Sequence, residues 1–209
     1  MDILKQIAEL KVMPVIKLDR SEDASPLAEA LCAGNLPAAE ITFRTDAAAD
    51  SIEIMASRFP QMLVGAGTIC TTEQAQRAID AGAKFLVSAG FSPKVVEYAL
   101  SHNIPIFPGV CTPTEVMMLM EYNLPVAKFF PASQYGGLNT IKALSAPFPQ
   151  LKYMPTGGIS AANIREYLDF PKVIACGGSW MVKSDLINAG DFDTIRQLSQ
   201  QAVDLVADL

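Results

Sequence analysis

The chain has 209 residues, of which 50% are hydrophobic and 18% charged, with a formal net charge of −6. This composition fits a single compact α/β domain spanning 1–209 and excludes a disordered polymer. No basic stripe is available to neutralise nucleic-acid phosphates, and the four cysteines (Cys32, Cys70, Cys111, Cys176) lack metal-ligand spacing and have a single histidine, His102, to join them; neither a nucleic-acid partner nor a metal or other cofactor is expected.

In chain order, the opening Met1-Asp2-Ile3-Leu4-Lys5 does not lead from a basic region into an apolar run, and no apolar stretch approaches membrane-spanning length. A secretion signal and a membrane span are therefore not expected, and free thiols in the cytoplasm are. A helix over 3–10 comes first, closing the bottom of the fold. Apolar runs at 13–18, 38–43, 62–67, 85–90, 105–110, 126–131, 152–156 and 173–177 read as strands. Helical periodicity occupies 26–33, 52–59, 73–81, 93–101, 114–122, 138–146 and 161–168. Thr72, Ser92, Thr112 and Ser160 serve as N-caps, and Gly34 and Gly82 as helix stops. Strand starts about 20 to 26 residues apart suit strand–helix units, and eight of these can close into a (β/α)8 TIM barrel. An open doubly wound sheet is the alternative, because periodicity does not report closure.

Chemistry enters along the same path. Lys17, near the end of the first strand, is a candidate nucleophile or anion ligand. Asp19, Glu22 and Asp23 follow it without forming a tight metal constellation. On the second strand, Glu40, Thr42 and Arg44 share one face by the period of two, opposite Ile41 and Phe43. That polar face should point inward, with Arg44 at the C-terminal mouth, where its planar fork fits a carboxylate. Val64-Gly65-Ala66-Gly67 leads to Thr68, a second donor for that carboxylate. His102 reads as a helix cap, and Met117, Met118 and Met120 as packing against the barrel or a neighbouring subunit.

Lys128, in Val126-Ala127-Lys128-Phe129-Phe130-Pro131, stands where a packed strand should have no charge. It is either a buried ion pair with Glu40 or an amine that attacks a carbonyl carbon to form a Schiff base, with Glu40 moving the protons. Phe130 shares its face and either floors the pocket or fills the core. Gly157-Gly158 after the seventh strand and Gly178-Ser179 after the eighth fit the phosphate site such barrels build at these two loops.

Five segments occur together in order: Glu40-Ile41-Thr42-Phe43-Arg44-Thr45, Val64-Gly65-Ala66-Gly67-Thr68, Phe107-Pro108-Gly109-Val110, Lys128-Phe129-Phe130-Pro131-Ala132 and Pro155-Thr156-Gly157-Gly158-Ile159. In them the chain resembles the bacterial KHG/KDPG aldolases of class I over nearly its whole length. The resemblance implies Lys128 as the Schiff-base lysine and Glu40 as general acid/base. It also implies Arg44 and Thr68 at the pyruvyl carboxylate, Phe130 beside the imine, and Gly157, Gly158, Gly178 and Ser179 at the phosphate. It further implies cleavage of 2-dehydro-3-deoxy-6-phosphogluconate, and in many members of 4-hydroxy-2-oxoglutarate, by a cytoplasmic homotrimer of the Entner-Doudoroff pathway. Phe43, Ala89 and Ser133 depart from the leucine, proline and glutamate expected at those positions. Aldol cleavage of the C4 epimer, 2-dehydro-3-deoxy-6-phosphogalactonate, and noncatalytic binding of a phosphorylated metabolite are the competing readings.

Overall fold

The computed structural model describes residues 2–209. It opens with α1 (Ile3–Leu10), capped where the Asp2 carboxylate accepts from Leu4 N at 3.0 Å. Strand and helix then alternate through β1 (Val12–Ile16), α2 (Ala24–Ala33), β2 (Ala38–Thr42), α3 (Ala48–Arg58), β3 (Leu63–Gly67), α4 (Thr72–Asp80), β4 (Leu86–Val87) and α5 (Pro93–Ser101). The second half runs β5 (Ile106–Phe107), β6 (Gly109–Val110), α6 (Pro113–Glu121), β7 (Val126–Phe129), α7 (Gly137–Ser145), β8 (Lys152–Pro155), α8 (Ile164–Leu168) and β9 (Cys176–Gly178). Two helices, α9 (Ser184–Asn188) and α10 (Phe192–Val206), complete it. No helix among the described residues is long and apolar enough to cross a membrane.

All strand pairs are parallel. They form a six-stranded sheet of order β5-β4-β3-β2-β1-β9 and a three-stranded sheet of order β6-β7-β8, rather than one continuous eight-stranded ladder. The expected strand over 105–110 is interrupted at Pro108, which has no N–H to give; its carbonyl accepts from Lys128 N at 2.9 Å. Single bridges join Tyr153 to Val173 and Thr156 to Gly177. The expected strand over 173–177 is accordingly shifted to β9, and that over 85–90 shortens to β4.

Every residue of β1, β2, β3 and β7 is buried, as parallel strands covered on both faces require. One apolar cluster gathers residues from strand beginnings, among them Met13, Ala38, Leu63 and Val126, and packs them with Ile7 of α1. The N-terminal helix thus seals the end of the sheet where the strands start. Polar chemistry is left the opposite end.

Several local expectations shift by a few residues for identifiable reasons. The N-cap of α4 is Thr71, not Thr72: Thr71 has extended backbone, and its hydroxyl accepts from Gln74 N at 3.1 Å. Ser160 does not cap α8. Asn163 occupies the cap and ties 160–163 into a turn, taking Ser160 N and donating to Gly158 O at 2.9 Å each. Ser92 holds its cap position without a side-chain bond, whereas Thr112 and Glu115 complete a reciprocal capping box. Gly34 ends α2 at φ −87°, so its smallness answers crowding: a Cβ there would lie 2.7 Å from Arg196 O on α10. Gly82 follows α4 at φ 94°. His102 caps α5 and stacks on Tyr98 with ring centroids 4.2 Å apart. Met120 packs against the core, while Met117 is 59% exposed.

The four thiols are free and differ in reach. Burial pushes Cys176 far above the ordinary thiol range and raises Cys32 and Cys111, while Cys70 is exposed. Titration of the native protein with a disulfide reagent at pH 8 is expected to show one fast thiol, mapped to Cys70, with Cys176 reacting only after unfolding. Fast labelling of Cys176 would contradict the packing.

Candidate active site

β2 and β7 carry the two buried charges toward each other. Lys128 is 4% exposed and Glu40 0%. Lys128 Nζ donates to Glu40 Oε1 at 3.2 Å, while Glu40 Oε2 has no protein partner. Stability is a poor reason for such a pair, because desolvating both ions consumes most of their attraction. One face of the ammonium also looks at the Phe130 ring, 5.2 Å from Nζ to the centroid. Gly67 makes room for the carboxylate: a Cβ at that position would lie 2.2 Å from Glu40 Oε1.

Above the pair opens a cavity of about 490 Å³. Arg44 and Thr68, just beyond the neighbouring strands β2 and β3, line it together with Lys128 and Phe130. Arg44 Nε donates to Thr42 Oγ1 at 3.1 Å, and no carboxylate among the described residues forms a salt bridge with its guanidinium. Thr68 sits at φ 59°, in the left-handed region. For a β-branched residue that conformation costs about 1–3 kcal/mol, and such strain gathers at functional sites.

The loops after β8 and β9 contribute the rest of the wall. Gly157 and Gly158 have φ 97° and 76°, and a Cβ on Gly158 would lie 1.8 Å from Ser133 Oγ, so only glycine fits this turn. Gly178 lies under the Trp180 ring, where a Cβ would come within 2.0 Å of the indole. Ser179 lines the cavity, and its Oγ donates to Val15 O at 2.6 Å.

A buried lysine–carboxylate pair, an arginine with no carboxylate partner and two positive-φ glycines are thus gathered around one cavity. Residues 3–198 match the family of KDPG and KHG aldolases. The chain belongs to that family. It is 46% identical to the 2-dehydro-3-deoxy-phosphogluconate aldolase of Treponema pallidum (strain Nichols), with 98% of this chain and 97% of that protein covered. It is 42% identical to the KHG/KDPG aldolase of Escherichia coli (strain K12), covering 92% and 91% respectively. A solved structure of KDPG aldolase from Legionella pneumophila, holding pyruvate captured at low pH as a covalent carbinolamine intermediate, superposes with a TM-score of 0.92 at 38% identity, over 96% of this chain and 98% of that one.

Lys128, Arg44, Thr68, Phe130, Gly157, Gly158, Gly178 and Ser179 all line the cavity of this aldolase-family chain, with Glu40 directly beneath. Lys17 is not brought in; it is paired with Asp19 at 2.5 Å, and that bond, aided by Asn188, holds the Asp19 carboxyl below its usual range. No group of three or more acidic, histidine or cysteine side chains suited to a metal occurs among the described residues. Of the three departures, Ala89 lines the cavity, Ser133 stands behind Gly158, and Phe43 turns into the outer core.

Sequence reasoning assigned no role to Thr42, Gly67, Thr156 or Trp180. Thr42 had a signal, its shared face with Glu40. Thr156 places a buried hydroxyl with no protein partner in the cavity wall. The constraint on Gly67 needs the distance to Glu40. Gly67→Ala is expected to push Glu40 from Lys128 and lower kcat by about 100-fold, since displacements near 1 Å at a reacting centre have that effect. Steady-state kinetics beside circular dichroism would check it; an active Gly67→Ala enzyme would mean the carboxylate can act from elsewhere.

Proposed function

We propose that this protein is a class I aldolase cleaving 2-dehydro-3-deoxy-6-phosphogluconate to pyruvate and glyceraldehyde 3-phosphate, and also 4-hydroxy-2-oxoglutarate to pyruvate and glyoxylate. The buried Lys128–Glu40 pair beneath the cavity is the observation that carries this reading. In the proposed reaction, Lys128 attacks C2 as the free amine, and Glu40, 3.2 Å away, is placed to accept and return the protons. The carbinolamine loses water to give an iminium. Glu40 removes the C4 hydroxyl proton, the C3–C4 bond breaks, and its electrons enter the iminium as an enamine. Glyceraldehyde 3-phosphate leaves, the enamine takes a proton at C3, and hydrolysis releases pyruvate and Lys128.

Arg44 and Thr68 hold the carboxylate in this scheme, Phe130 flanks the imine, and the phosphate is received at Gly157, Gly158, Gly178 and Ser179, the last through its backbone N–H because its hydroxyl proton goes to Val15 O. Binding energy from both charged ends thus positions the reacting bond. The two sheets are read as one closed (β/α)8 barrel in a single domain over 1–209; the continuity of Ile106 to Val110 across Pro108 and the Thr156–Gly177 bridge support that closure. A cytoplasmic homotrimer is proposed with it, on the family resemblance.

The test is cleavage of the two phosphorylated C4 epimers and of 4-hydroxy-2-oxoglutarate, with pyruvate followed by reduction to lactate. The gluconate epimer is expected to lead in kcat/KM by at least about 10-fold, because a misplaced hydroxyl leaves buried polar groups unpaired. Preference for the galactonate epimer would reassign the substrate. No turnover of any of them would leave a noncatalytic binder.

A further inference from the structure

We propose that Thr42 is a positioning residue for the 2-oxo acid, acting through Arg44; the inference rests on the reading of Arg44 as the carboxylate ligand. Thr42 is 2% exposed at the end of β2 and lines the cavity. Its hydroxyl has one proton, and this goes to Ile16 O on neighbouring β1 at 2.8 Å. The oxygen is therefore left to accept, and what it accepts is Arg44 Nε–H at 3.1 Å. Arg44 can only donate, so the two bonds use the hydroxyl once as donor and once as acceptor.

That bond engages one edge of the guanidinium. An arginine bound at Nε keeps the paired Nη groups for a planar partner, the arrangement that grips a carboxylate with two parallel bonds. The backbone reinforces it. Arg44 N donates to Thr42 O at 2.8 Å, folding the chain tightly at Phe43, and Thr45 Oγ1 donates to Leu18 O at 2.5 Å. Two threonine hydroxyls thus moor the turn carrying Arg44 to carbonyls at the end of β1 and just beyond it. Arg44 itself is exposed and has no other hydrogen-bond or salt-bridge partner among the described residues, so without Thr42 its long side chain would lose its side-chain tether. Untethered, it would have to be ordered anew by each substrate.

The experiment compares Thr42→Val, Thr42→Ser, Arg44→Gln and the double variant Thr42→Val/Arg44→Gln. It reads kcat and KM for cleavage, and the pyruvate concentration giving half-maximal borohydride inactivation. Thr42→Val keeps the shape and loses the hydroxyl. Half-saturation and KM are expected to rise about 10-fold, the scale of one charge-assisted hydrogen bond, with kcat changed less than about 3-fold. Thr42→Ser should restore KM to within about 2-fold, and the double variant should bind no worse than Arg44→Gln alone, because both changes remove one interaction.

If Thr42→Val does not fold, Thr42→Ala supplies the same comparison. A rise in Arg44→Gln with none in Thr42→Val would overturn the Thr42 inference alone. Losses that add in the double variant, or a Thr42→Ser enzyme as impaired as Thr42→Val, would also overturn it, since packing and not the hydroxyl would then be responsible. An unmoved half-saturation in Arg44→Gln would remove the carboxylate reading and the inference together.

Discussion

Lys128→Met is expected to abolish aldol cleavage, with a loss on the order of 10⁵-fold or more in kcat, because no other described side chain offers an amine to the cavity. Methionine fits the apolar stem but strands Glu40, whose carboxylate is fully buried with Lys128 as its protein partner. Removing one member of a buried pair costs about 3–5 kcal/mol, so thermal stability should fall as well. The double change Lys128→Met/Glu40→Gln separates the effects. It should recover much of the lost stability while remaining inactive, as measured by calorimetry beside the pyruvate assay. Residual activity in folded Lys128→Met near the parent level would exclude Lys128 as nucleophile.

Glu40→Gln is the second large expected effect. Glutamine has almost the same shape and can still accept from Lys128 through its carbonyl oxygen, but it cannot carry a proton between carbinolamine, C4 hydroxyl and enamine. Loss of a placed general acid/base lowers rates by about 10² to 10⁴-fold, and kcat should fall within that range while substrate binding changes little. The exchange of pyruvate methyl protons with deuterium, followed by NMR, isolates the enamine step from the aldehyde and should slow in parallel. Unchanged exchange beside impaired cleavage would move the C3 proton transfer to another group.

The alternation of strand and helix was legible because each unit repeats the same contrast of short buried run and amphipathic segment. The same legibility reached Glu40 and Lys128, since a charge within an apolar strand is conspicuous without coordinates. Closure was not legible: nothing in the run from Ile106 to Val110 says how Pro108 divides hydrogen bonding between two sheets. The C-terminal α10 went unassigned although Asp191 caps it and Ile195, Ser199, Ala202 and Val206 mark its buried face; the pattern is diluted by a buried serine and an alanine. Helix starts slipped where two candidate caps stood side by side, as with Thr71 and Thr72, because only backbone geometry selects between them. At the site, residues with charge or paired glycines could be picked out, whereas Gly67 and Thr42 act through neighbours distant in sequence: Glu40 meets Gly67 across β3, and Thr42 reaches Ile16 across β1.

The central claim, that Lys128 is a carbonyl nucleophile and not only half of an ion pair, is tested most directly by borohydride reduction in the presence of pyruvate, followed by intact mass and peptide mapping. A single reduced pyruvyl adduct on Lys128, absent when pyruvate is omitted, is the predicted result. A folded protein that gains no adduct, or gains it on Lys17 or another lysine, would contradict it.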